Sequence, residues 1–218
     1  MKKLVMVSPW LWAHGDKIGM PTIYYTATGF VKKGYETHLV VGSNEEENEF
    51  LYDGLTIHHF KVNVPNGMFN SFHSIFENQY NKFEFQKIKS LWQRKLVSFL
   101  EETTLIKNAD LLYLISPMSC VIADKFREIK QVWRFMGVNI MPSQKGKILI
   151  DSIKSHPAEY LSFKKLSKIS SRCNPIIVIT DDGTRGDKLI EAMRMRYADL
   201  LFLKNGVEDF RKTSVKSE

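Results

Sequence analysis

Leu200-Leu201-Phe202-Leu203-Lys204-Asn205-Gly206-Val207-Glu208 is an apolar run that breaks into a turn. These four successive apolar residues read as the last strand of the chain. A short polar stretch follows and ends in Ser214-Val215-Lys216-Ser217-Glu218. The same signature recurs at each step back along the chain. Asn174-Pro175-Ile176-Ile177-Val178-Ile179-Thr180, Gln131-Val132-Trp133-Arg134-Phe135-Met136-Gly137 and Ala109-Asp110-Leu111-Leu112-Tyr113-Leu114-Ile115-Ser116-Pro117 all read as strands. So do Glu36 to Gly42 and Lys2-Lys3-Leu4-Val5-Met6-Val7-Ser8-Pro9, the last a buried parallel strand that lacks polar alternation and ends at a proline.

Helical stretches separate these runs. One spans Pro21 to Lys33; proline suits a first turn, and Gly34 suits a left-handed cap. Residues 83–103 form another, with Ile88, Leu91, Trp92, Leu96, Phe99 and Leu100 on one stripe. Lys82, Lys87, Lys89, Arg94 and Lys95 fall mostly off that stripe. Residues 118–130 and Gly186 to Tyr197 read as helical, and 148–171 carry one or two helices, the second beginning at Pro157. Residues 44–52 read as an acidic, Asn-rich connection, and 61–81 as a long aromatic-rich loop. Strands alternating with helices predict an α/β fold: a doubly wound, mainly parallel sheet with helices on both faces. Ligands of such sheets bind outside the carboxyl ends of the strands. The loops after Pro9, Met136 and Thr180 therefore belong to one candidate site.

Composition narrows the classes. The chain has 218 residues, a hydrophobic fraction of 44% and a charged fraction of 25%, which suits one α/β domain. Its net charge of +7 favours an anionic partner. No nucleic-acid-binding signature is present, so no nucleic acid partner is expected. Cys120 and Cys173 each lie near an apolar run and read as buried free thiols. No signal peptide and no run of membrane-spanning length is visible, so the cytoplasm is the expected compartment.

The order of the pieces resembles a known family. The Asn205-Gly206-Val207-Glu208 turn is similar to the "NGVD" turn of retaining, two-domain GT-B glycosyltransferases of the group 1 or family 4 type. The opening, strand–glycine loop–helix–Lys32-Lys33-Gly34-Tyr35-Glu36-Thr37-His38-Leu39-Val40-Val41, resembles that family's start. Asp53-Gly54-Leu55-Thr56-Ile57-His58-His59-Phe60 resembles its third strand, and Ala109 to Pro117 its "pDvvhvhsp" strand. The resemblance implies a Rossmann-like N-terminal, acceptor-side domain over residues 1–208. Residues 209–218 would be a polar tail or the start of an interdomain linker, with the C-terminal donor domain beyond the last residue. The implied reaction moves a sugar from a nucleotide diphosphate donor to a hydroxyl of a glycan or lipid. It needs no cofactor and no metal, and this half alone is expected to be inactive.

The resemblance also nominates residues. Gly15 and Gly19 lie in the first loop, where backbone amides at a helix start suit the donor diphosphate. Arg134-Phe135-Met136-Gly137 occupies the place of the family's "HG". Methionine cannot replace that histidine as a hydrogen-bonding group. A minority of the family carries "RlfG" or "RfyG", which makes Arg134 and Gly137, with Arg185, the donor-binding candidates that the resemblance implies here. In Thr180-Asp181-Asp182-Gly183-Thr184-Arg185-Gly186-Asp187, Arg185 suits a phosphate or carboxylate, and Thr184 or Asp187 suits a helix cap. His14 is the histidine nearest the expected cleft. Trp92 with Lys87, Arg94 and Lys95, together with Phe69 or Phe72 of the aromatic loop, suits an acceptor or anionic headgroups at the inner face of the membrane. Two other readings remain open: a non-catalytic binding module, and another nucleotide-binding doubly wound domain.

Overall fold

The computed structural model describes residues 1–9, 21–43, 47–62, 82–140, 142–143, 147–181 and 184–204. In chain order the elements are β1 (Lys2–Ser8), α1 (Pro21–Lys32), β2 (Tyr35–Ser43), β3 (Asn48–Tyr52), β4 (Leu55–Lys61) and α2 (Lys82–Glu102). There follow β5 (Leu111–Ile115), the short α3 (Ser116–Cys120), a 3-10 turn (Ala123–Phe126) and β6 (Lys130–Met136). Then come α4 (Ile150–Ser155), α5 (Pro157–Cys173), β7 (Ile176–Asp181), α6 (Gly186–Ala192) and β8 (Asp199–Lys204).

The strands form one sheet in the order β3-β4-β2-β1-β5-β6-β7-β8. Every pairing is parallel except β3 with β4. Successive side chains of β1 point to opposite faces, as the pleat requires. Leu4 and Met6 join Ile23 and Ala27 of α1 in one apolar cluster with Leu39, Val41, Leu55 and Ile57. Val5 and Val7 join the other cluster, which holds Trp92, Leu96 and Leu100 of α2, Phe163 and Leu166 of α5, and Leu189 and Ile190 of α6. Helices thus cover both faces. The expected α/β, doubly wound, mainly parallel sheet is what the chain forms.

Three local expectations change. Residues 48–52 are an antiparallel edge strand, not a connection, because Asp53 and Gly54 take φ of 51° and 79° and fold β3 back on β4. Two residues with positive φ make the tight turn whose twist matches a hairpin. The stretch 118–130 is a short helix and a 3-10 turn. Gln131 Nε2 donates to the carbonyls of Ala123 and Phe126, both at 2.9 Å, and so satisfies groups that a continued helix would have paired internally. The last helix stops at Ala192, and Arg194 just beyond it takes a left-handed φ of 52°. Cys120 is buried, Cys173 is half-buried, and both are free. Among the described residues no helix is long and apolar enough to cross a membrane.

Candidate functional site

The chain runs from β1 outward to β2 and β4 on one side, then returns to place β5 against the other side of β1. The strand order therefore reverses between β1 and β5, the place outside the carboxyl ends where ligands of such sheets bind. Register fixes the depth of each residue below the rim. Val7 lies opposite Leu114, and Ile115 lies opposite Arg134. Arg134 thus sits in the row where β1 ends at Ser8. β6 and β7 run one pleat further, to the facing pair Met136 and Thr180.

Arg134 is 9% exposed. Its Nη1 donates to Thr26 Oγ1 of α1 at 2.6 Å, and its Nη2 to Thr180 Oγ1 of β7 at 3.5 Å. Its Nε–H is buried without a partner. Tyr113 of β5 lies alongside: burial pushes its phenol above the ordinary range, and the Arg134 charge pulls it partly back. Gly137 follows β6 with a φ of 70°, a backbone that disfavours a side chain.

Arg185 stands at the same end of the sheet, beyond β7. It is exposed, holds a φ of 52°, and grips Asp187 through Nε and Nη2, both at 3.1 Å. The Arg185 hydrogen bond is the main reason the Asp187 carboxyl lies below its ordinary range. Thr184 is not a cap: its hydroxyl accepts the Val138 N–H at 3.1 Å and ties the loop after β7 to the loop after β6. Asp187 in the first turn of α6 holds Arg185 and also accepts the Lys188 backbone N–H, while the N-cap residue Arg185 makes no side-chain cap bond. His14, Gly15 and Gly19, and likewise Phe69 and Phe72, lie outside the described residues.

The surface assigned to α2 is partly wrong. Trp92 is fully buried and packs on Phe60 with ring centroids 5.7 Å apart, so it belongs to the core and cannot touch an acceptor or a membrane. The stripe with Leu96, Phe99 and Leu100 points inward, and Trp92 shares it. Lys89 also turns inward. It donates to Ser162 of α5 at 2.8 Å, and burial, then Lys165, pushes its ammonium down to about 8. Lys87, Arg94 and Lys95 are exposed.

Sequence reading missed Thr26, Tyr113 and Ser8 as parts of this end of the sheet. Ser8 and Tyr113 lie in recognisable strands, and their position in the site follows once the strand order is known. Thr26 carries no signal, since its role depends on a residue 108 positions away.

No family model matches the chain, and no curated protein matches it in sequence. Solved structures do match in fold. Sucrose-phosphate synthase from Thermosynechococcus elongatus superposes with a TM-score of 0.58 at 6% identity, over 95% of this chain and 49% of that one. The catalytic domain of starch synthase IV from Arabidopsis thaliana, bound to ADP and acarbose, gives 0.54 at 11% identity, over 94% and 52%. A shorter sucrose-phosphate synthase chain from Thermosynechococcus elongatus gives 0.53 at 6% identity and is covered over 91% of its length. The chain therefore has the fold of a domain of GT-B glycosyltransferases. It spans about half the length of the longer sucrose-phosphate synthase and the starch synthase chains it matches.

Proposed function

We propose that this chain is the acceptor-side domain of a nucleotide-sugar-dependent, retaining glycosyltransferase. The observation that supports this most is the GT-B fold itself, on which Arg134 at the carboxyl end of β6 reaches Thr26 of α1 and Thr180 of β7, beside the switch point between β1 and β5. A second, donor-binding domain would close over that end of the sheet. Transfer to a glycan or lipid hydroxyl needs a leaving diphosphate held by backbone amides and cations, in a site from which closure expels water. Arg134 supplies a fixed cation at the carboxyl end of β6, and Gly137 would let a ligand approach the chain closely. Neither residue is a nucleophile, which agrees with chemistry carried by positioning and charge. Without that second domain the chain is expected to transfer nothing. The outward Lys87, Arg94 and Lys95 offer a basic side for an anionic acceptor or lipid headgroup. That weak contact would show as salt-sensitive co-sedimentation with anionic vesicles, and equal pelleting with neutral vesicles would remove it.

The test is Gly137→Val in the whole polypeptide that carries this domain. Valine strains a backbone at φ 70° and adds a side chain at the carboxyl end of β6. Stability should fall by about 1–2 kcal/mol, whereas kcat/KM for sugar transfer should fall roughly 100-fold through misplaced substrate. A variant with wild-type kcat/KM would remove the β6 rim from the site.

A further inference from the structure

We infer that Arg134 is the floor of an oxyanion subsite that takes a phosphate group of the ligand. The inference rests on the reading above that the ligand binds beside the switch point between β1 and β5. A structural role for a buried arginine would be served by a carboxylate, and this chain uses that solution where the arginines are exposed. Arg172 grips Asp124 at 2.7 and 2.8 Å, and Arg185 grips Asp187. Among the residues whose side chains are described, Arg134 is the buried arginine, and no carboxylate of theirs pairs with it.

Its surroundings are neutral hydroxyls. Thr26 accepts from Nη1 while its own hydroxyl donates to the Thr22 carbonyl at 2.6 Å. Thr180 accepts at the long distance of 3.5 Å, and Nε–H is left over. A guanidinium removed from water and left without a counter-charge is strongly unfavourable. A neutral sugar hydroxyl would supply one acceptor and no charge. A phosphate supplies both, and its oxygens match the planar fork of Nε and an Nη. The place suits it, because Arg134 lies in the row where β1 stops while β6 and β7 continue past it. That row lies at the carboxyl end of the sheet, beside the switch point between β1 and β5 where ligands of such folds bind. The phosphate has two sources: the diphosphate of a nucleotide donor or a phosphorylated acceptor.

The experiment titrates the 218-residue chain with inorganic phosphate, UDP, glucose 6-phosphate and glucose. Thermal midpoint and the arginine Nε–Hε resonances are followed. Phosphate should raise the midpoint and shift the Arg134 resonance, and glucose should do neither. Stronger binding of UDP than of glucose 6-phosphate assigns the subsite to the donor, and the reverse order assigns it to the acceptor. Arg134→Met should be at least as stable as the wild type without phosphate and bind phosphate about tenfold or more weakly. Should that variant misfold, Arg134→Lys keeps the charge, loses the fork, and should weaken binding while retaining the fold. Equal phosphate response in wild type and either folded variant, or no response of the wild type, overturns the inference. Sugar transfer by the whole polypeptide would be untouched by that failure, so the two readings fall separately.

Discussion

Replacing Trp92 by alanine is expected to destabilise the domain by about 3–5 kcal/mol, the cost of emptying a large aromatic site in a packed core. The indole is fully buried between Phe60 and the rest of α2's inner stripe. Its Nε1–H has no partner, and a Cβ placed on Gly42 would lie 2.8 Å from that nitrogen. Trp92→Phe should therefore be much milder, since it keeps most of the ring and removes an unsatisfied donor. A surface tryptophan reserved for a membrane would change stability by about 0.5 kcal/mol or less on truncation. Urea unfolding of the two variants separates these cases, and a small loss for Trp92→Ala would contradict the packing described.

Stability should also fall by about 3 kcal/mol as the pH drops from 6.5 to 4, through His58 alone. His58 is 5% exposed; its Nε2 lies 2.9 Å from His38 Nδ1, and its Nδ1 lies 3.1 Å from Glu49 on β3. The far nitrogen of His38 meets Glu36 at 2.9 Å, and Phe99 of α2 packs across the His58 ring. Burial first, then the nearby His38 and Lys3 charges, push His58 from 6.5 down to about 4. The folded state thus resists a proton that the unfolded chain accepts. This contribution is complete above pH 6.5, declines as the unfolded histidine protonates, and is gone below about 4. Glu49 is 64% exposed, so water screens its pull. The readout is the pH dependence of unfolding free energy in wild type minus His58→Phe. A difference that favours the wild type more strongly in acid would mean that Glu49 governs the histidine.

The framework was readable from the sequence because parallel strands buried on both faces leave unbroken apolar runs. Leu111–Ile115 and Ile176–Thr180 could not satisfy any other environment. Pro21 and Gly34 marked α1 for equally local reasons: a proline needs no helical N–H partner, and glycine accepts φ of 82°. β3 was missed because Asn48-Glu49-Phe50-Leu51-Tyr52 is an edge strand whose outer residues are solvated, so no apolar run marks it. The Asp53-Gly54 pair was the available clue. The candidate site was only half legible. Glycine and arginine at strand ends can be seen in a sequence. Whether an arginine is paired, or a lysine such as Lys89 turns inward, depends on residues far away in the chain, here Thr26, Thr180 and Ser162. The amphipathic stripe of α2 likewise shows which residues lie together but not that Trp92 goes with the inner set until the partner strand is known.

The measurement that bears most directly on the central claim is sugar transfer by the whole polypeptide that carries this domain. Radiolabelled nucleotide diphosphate sugars would be offered with a panel of neutral, phosphorylated and lipid-linked acceptors. The account predicts labelled product from a nucleotide sugar, loss of that product on Gly137→Val, and no product from the 218-residue chain alone. Absence of transfer from every donor, together with tight binding of a dinucleotide by this chain, would contradict it.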